Sequence, residues 1–246
     1  MHYKNIDKNI FAFFLGLLEG DGSIQVNHWK KKYLQFRVII KMKYTPKNHE
    51  MLSNIRDSLG IFKLHIRNNF VILVEDDKKQ LKLLVKLIDS SNSLSGLLLT
   101  KVRIRYSLFK YALENNITYS ELSLIQNNSE WLVYKNIKEY SLEELMTYTH
   151  LESWLLGFIE AESCFCIRKN GNHSFSISQK DELIIIELIK NLFKLPNKIQ
   201  IKTNNLYLIE TYNRKSLKII IDFCQDKLKG EKRIQFNTFA SLFYKI

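Results

Sequence analysis

The chain has 246 residues, enough for one large domain or for two of about 120 residues, each with its own core. With 46% hydrophobic and 25% charged residues, two prolines and eight glycines, it is neither disordered nor collagen-like, and three cysteines cannot build a disulfide framework. The 37 basic against 25 acidic side chains leave +12, which points to a polyanionic partner.

The first apolar run, residues 10–18 (IFAFFLGLL), is too short to cross a bilayer and stops at Glu19. Lys4 and Lys8 precede it, yet EGDG follows where a signal peptide would carry a small-residue cleavage site, so no membrane or secretory role is expected. Period-two patterns predict strands over 23–29 and 33–43, then a helix over 47–59 closed by Gly60. Residues 62–67 and 70–75 read as a hairpin around Asn68 and Asn69, which tolerate the left-handed backbone of a tight turn. Helices are expected over 78–88 and 98–114, followed by a polar linker, 115–150, with a short helical piece (SLEELM).

The pattern then starts again. Residues 14–22 read FLGLLEGDG, and 141 residues later 155–163 read LLGFIEAES. Strands are expected over 164–169 and 173–179, and a helix over 181–193 with Asp181 as an acidic cap. A strand pair, 198–203 and 206–212, turns at Asn204 and Asn205, and helices fill 214–225 and 233–244. The offset falls from 141 at the motifs to 136 at the Asn pairs and 131 between Lys101 and Lys232, so the second copy has shorter connections. The expected fold is α+β: two pseudo-symmetric αββαββα halves, 1–114 and 151–246, each with a curved antiparallel sheet, packed through the two motif helices.

On a helix, Gly16 and Gly20 share a face, as do Gly157 and Ala161, and small residues at that spacing let two backbones approach. Phe13, Leu17, Phe158 and Ile159 would fill the halves' own cores. Asp21 and Glu162 fall at helix C-termini, where the macrodipole disfavours carboxylates. If the helices pack side by side, the two acids also approach each other, which costs several kcal/mol or forces one to protonate. A cation resolves both conflicts, and an all-oxygen site of this kind suits Mg²⁺ or Mn²⁺. Asp21 as a turn residue in a Gly-Asp-Gly helix stop and Glu162 as a solvated acid are the plainer readings. Neither explains why an acid recurs at the same position of a repeat.

These two nonapeptides, with matching elements after each, resemble the motifs of single-chain LAGLIDADG homing endonucleases, over nearly the whole chain except the linker. The resemblance implies that Asp21 and Glu162 bind the catalytic divalent metals, helped by the main-chain carbonyls of Gly20 and Ala161. It assigns Glu19 and Glu160 to holding the helix ends. It places Lys101 and Lys232 as the basic residues near the metals, Lys232 (GEKRIQF) being the closer match. Gln179, in ISQKD, matches a polar position beside the metals; its counterpart falls near Pro46, making that role one-sided. Ser163 stands where the family has glycine, and serine costs more in a left-handed helix stop, so the second motif is expected to end differently. The implied activity is a double-strand break with short 3′ overhangs in a long asymmetric DNA target, made by a monomer and driving intron homing. An intron maturase acting on group I intron RNA and a DNA-binding regulator without cleavage are the alternatives. The abundance of Lys, Asn and Ile suits an AT-rich organellar gene, mitochondrial rather than chloroplast.

Alternation divides the strands into two faces. Phe36, Val38, Ile40 and Met42 are expected inward, with Phe62, Leu64, Ile66, Ile199 and Ile201. Outward go Gln25, Asn27, Gln35, Arg37, Lys41, Lys43, Lys63, His65 and Arg67 in the first half. The second half offers Arg168, Ser176, Ser178, Lys198, Gln200 and Lys202. Arg and Lys match guanine acceptors and Gln and Asn match adenine, so such a face suits a major groove. Lys30, Lys31, Lys32 and residues 227–229 suit phosphates, which anchor without specifying sequence. Cys164, Cys166 and His173 lack the paired spacing of a zinc knuckle.

Overall fold

The computed structural model describes residues 6–90, 96–127, 137–169 and 171–244. Helix α1 (Lys8–Asp21) opens at Asp7, whose carboxylate accepts from the amides of Asn9 and Ile10. It runs straight into β1 (Gly22–Trp29) and β2 (Tyr33–Lys43). Thr45 caps α2 (Pro46–Leu59), proline sits in its first turn where no amide is needed, and Gly60 ends it at φ 65°. Strands β3 (Lys63–Arg67) and β4 (Phe70–Glu75) turn at Asn68 and Asn69, both at positive φ. Helices α3 (Lys78–Asp89) and α4 (Thr100–Glu114) complete the first half.

The connecting segment carries α5 (Tyr119–Asn127) and α6 (Leu142–Met146), the latter opened by a capping box between Ser141 and Glu144. It is anchored rather than merely solvated, because Leu122, Leu145 and Tyr148 are buried. The second half repeats the first: α7 (Leu151–Glu162), β5 (Ser163–Ile167), β6 (His173–Lys180), α8 (Leu183–Leu192), β7 (Gln200–Lys202), β8 (Leu206–Thr211), α9 (Arg214–Cys224) and α10 (Lys232–Phe243). The sheets are antiparallel with orders β1-β2-β4-β3 and β5-β6-β8-β7. Both halves thus follow the expected αββαββα plan, and the last helix expected in each, over 98–114 and 233–244, is present as α4 and α10. Phe36, Val38, Ile40, Val71 and Leu73 bury one face of the first sheet, and Phe175, Ile177 and Ile209 bury one face of the second.

Four expectations need correcting. Asp181 does not cap α8: it sits at φ 61°, and the helix starts at Leu183 without a side-chain cap. Its carboxylate is engaged instead by Lys101 Nζ at 2.9 Å. Ile66 and Ile201 keep the inward side of their strands but are 57% and 69% exposed rather than buried, because β3 and β7 are edge strands. The two motif helices end alike, since Gly22 (φ −98°) and Ser163 (φ −87°) are both extended rather than left-handed. Ser163 Oγ returns to the helix, donating to the Ile159 carbonyl at 2.7 Å. Finally, Gly22 pairs with Ile40 and Ser163 with Ile177. The residue corresponding to Gln179 is therefore Met42, not a position near Pro46.

Candidate metal centre and DNA-binding surface

The packing of α1 on α7 is the most extensive contact between any two elements. It depends on reciprocal glycines. A methyl group at Gly16 would overlap the Trp154 carbonyl, and one at Gly157 would overlap the Phe13 carbonyl, so main chain touches main chain. One turn later Gly20 faces the Ala161 methyl, and a Cβ there would lie 3.2 Å from Glu162 Cγ and 3.5 Å from its Oε1. The ends of both helices therefore meet, and the Glu162 carboxylate lies beside the backbone that leads into Asp21.

Burial raises the Asp21 carboxyl above its ordinary value, opposed by the positive charge of Lys232. Glu162 is pushed up to about 7, first by burial and then by the charge of Asp21, again opposed by Lys232. Among the described residues no hydrogen-bond donor is directed at either carboxylate. An exposed Asp21 and a half-buried Glu162 that feels its charge, with helix-end carbonyls close by, form a donor set that fits a hard divalent cation. A cleft of about 580 Å³ opens here, lined by Asp21, Ala161, Lys232, Lys41, Lys43 and Asn48 among others.

The first acid of each motif is buried and turned the other way. Glu19 accepts from the amides of Leu98 and Leu99 at 2.9 and 2.8 Å and from Trp154 Nε1 at 2.6 Å. Burial pushes it up to about 8 against those three donors. Glu160 accepts from the amides of Lys229 and Lys232, both at 3.1 Å, and burial raises it too. Each acid thereby fixes the segment entering α4 or α10, which carries Lys101 or Lys232. The two lysines part company from there. Lys232 Nζ donates to the Ser163 carbonyl at 2.5 Å and acts on both motif acids. Lys101 Nζ instead pairs with Asp181.

On the first sheet the outer face holds Gln25 opposite Arg37, Asn27 opposite Gln35, and Lys63, His65 and Arg67 along the edge strand, with Lys41 and Lys43 between. The second sheet places Ser176 and Ser178 on β6, Gln200 and Lys202 on β7, and Lys198 just before β7. Two cations of this face are already paired, Lys63 with Asp76 at 3.0 Å and Arg168 with Glu210 at 3.0 Å. The face therefore carries more acid than strand alternation alone revealed.

The family model described as LAGLIDADG endonuclease matches residues 14–113 and again 155–243. The chain belongs to the LAGLIDADG endonuclease family. It is a site-specific DNA endonuclease, a hydrolase of phosphodiester bonds. A probable intron-encoded endonuclease of Dictyostelium citrinum is 33% identical over 98% of both chains. The homing endonuclease I-LtrWI bound to target DNA shares the fold with a TM-score of 0.70 at 19% identity, over 96% of this chain and 90% of its own. I-SmaMI, bound to uncleaved DNA in the presence of calcium ions, has a TM-score of 0.65 at 17% identity, over 95% and 90%.

Two residues of this LAGLIDADG endonuclease were not readable as site residues. Asn48, in the first turn of α2, accepts from the Glu231 amide at 2.8 Å and so closes the start of α10 from the opposite half. Glu182 does the same for α4, accepting from the Lys101 amide at 2.7 Å. The only local signals are a polar residue in a helix's first turn and a second acid after Asp181. The would-be zinc trio is split by the sheet: Cys164 and Cys166 face outward, whereas His173 is buried against the Phe239 carbonyl at 3.1 Å. Among the described residues no three His, Cys, Asp or Glu side chains are placed to hold a metal, and no helix is long and apolar enough to cross a membrane.

Proposed function

We propose that Asp21 and Glu162 share divalent cations, Mg²⁺ or Mn²⁺, with the Gly20 and Ala161 carbonyls completing the oxygen donors. A cation bound there would acidify water and draw charge from a leaving phosphodiester oxygen. The residues have separate tasks. Asp21 and Glu162 present charge at one point from opposite halves, and Glu19 and Glu160 hold the lysine-bearing segments in place. Lys232 sets positive charge beside the acids, where it stabilises developing negative charge or orders water. Lys101 and Gln179 are the further polar groups of the centre, Gln179 from the half-buried end of β6.

The outer sheet faces would follow the major groove on either side of the centre, bringing Gln25, Asn27, Gln35, Arg37, Lys41, Lys43, His65 and Arg67 to bases or phosphates. The second half adds Arg168, Ser176, Ser178, Lys198, Gln200 and Lys202. One chain carries both motif helices, so a monomer completes the centre and reads a long target without internal symmetry. An intron-encoded gene in a mitochondrion fits this reading, with homing as its outcome.

The observation that supports it is the approach of Glu162 to Gly20 at the end of the helix seam, where the charge of Asp21 reaches it. The experiment is cleavage of a duplex spanning the intron-less exon junction with Mg²⁺, comparing wild type with Asp21→Asn and Glu162→Gln. Wild-type cleavage lost in both variants supports the assignment, and unchanged cleavage by both refutes it. Wild-type binding without cutting, together with intron splicing that depends on the protein, would favour the maturase.

A further inference from the structure

Strand β4 reads FVILVE and is apolar on both faces. Val71 and Leu73 point into the core and are fully buried. Phe70, Ile72 and Val74 point the other way and are half-exposed. Ile39 of β2 lies directly opposite Val74, so the four form a continuous apolar strip on the outer face. A strand apolar on both faces normally belongs to a sheet covered on both sides.

What borders the strip says what covers it. Lys41 pairs across from Ile72, Lys43 from Phe70, and His65 and Arg67 flank the same residues from β3. The Lys41 ammonium lies 4.1 Å from the centre of the Phe70 ring. An apolar floor rimmed by cations is complementary to a surface with anionic edges and methyl groups at its base. The major groove of duplex DNA is such a surface, because thymine presents its C5-methyl there while phosphates line both walls.

We propose that Ile39, Phe70, Ile72 and Val74 read thymine methyl groups, making this strip a specificity determinant for thymine in the half-site under the first sheet. The proposal rests on the sheets being the DNA-facing surfaces. The corresponding strand of the other half keeps Leu206 and Leu208 outward, 136 residues after Phe70 and Ile72. It has Glu210 where the first half has Val74, and Ser176 opposite it where the first half has Ile39. Thymine readout is therefore stronger under the first half than under the second.

Replacing thymine by uracil removes the methyl and leaves every hydrogen-bonding group in place. The full-length protein is titrated, with Ca²⁺, against three versions of the intron-less junction duplex: unmodified, and with uracil for thymine in one arm or in the other. Affinity should fall about fourfold for each contacted methyl lost, the worth of one buried methylene, and should fall more in one arm than in the other. Ile72→Gln should reduce the uracil effect in that arm alone. Equal affinity for all three duplexes overturns the proposal while leaving the endonuclease reading intact. Failure to bind the unmodified junction overturns the DNA-facing assignment and the proposal with it. Because the uracil comparison uses the wild-type chain, a folding defect in Ile72→Gln does not affect it.

Discussion

The Lys101 amide donates to Glu182 Oε1 at 2.7 Å, joining residues 81 positions apart in opposite halves. The same exchange occurs in reverse, with Glu231 donating to Asn48 Oδ1. Each half thus closes the start of the other half's lysine-bearing helix. The exchange is not equal, because Asp181 also takes the Lys101 ammonium while Lys232 remains beside the motif acids. Lys232→Ala is therefore expected to slow cleavage at least tenfold, and Lys101→Ala by less. Single-turnover kinetics on a duplex labelled on both strands measures this, and equal losses would show that the ion pair with Asp181 does not matter.

The glycines of the helix seam should separate from glycines used only for backbone freedom. Gly60→Ala meets no neighbouring atom but must hold φ 65°, which costs about 1 kcal/mol. Gly16→Ala drives a methyl into the Trp154 carbonyl, so a loss of about 3 kcal/mol or more is expected from overpacking between two main chains. Urea unfolding of the two variants provides the comparison.

The pH dependence follows from Glu162. Its folded pKa of about 7 lies above its ordinary value of 4.5, so between those values the folded state holds the extra proton. Stability of the metal-free protein contributed by this group is present below about pH 4.5 and is lost as pH rises through 7. A cation requires the deprotonated form, so its stabilising effect runs the other way and grows with pH up to about 7. Thermal melts from pH 5 to 8 with and without Mg²⁺ should show the gap widening, and a constant gap would contradict it.

Glu19 offers a structural test. Three N–H donors converge on its carboxylate, and Glu19→Gln turns one oxygen into a group that cannot accept them. Leaving a buried donor unpaired costs about 1–3 kcal/mol. At pH 9, where the Glu19 carboxyl is ionised, the variant should unfold earlier in urea by that amount.

Much of this architecture was legible because it is local and repeated. The motif spacing, the Asn pairs and the strand alternation each recur, and a pattern seen twice fixes the plan of both halves. What stayed hidden was set by distant partners. Asp181 reads as an ordinary helix cap until Lys101 takes its carboxylate from the other half. Ile66 and Ile201 alternate correctly, yet edge strands offer them no core to enter. The outer apolar strip escaped because alternation cannot choose a face in FVILVE. Asn48 and Glu182 do their work only once the halves are docked.

The central claim is that Asp21 and Glu162 hold one cation centre jointly. Mn²⁺ binding to the protein–junction duplex complex, followed by electron paramagnetic resonance, tests it most directly with wild type, Asp21→Asn, Glu162→Gln and the double variant. Joint ligation predicts that either single substitution weakens binding nearly as much as both together. Losses that simply add, or binding untouched by either change, would mean that the two carboxylates serve separate purposes.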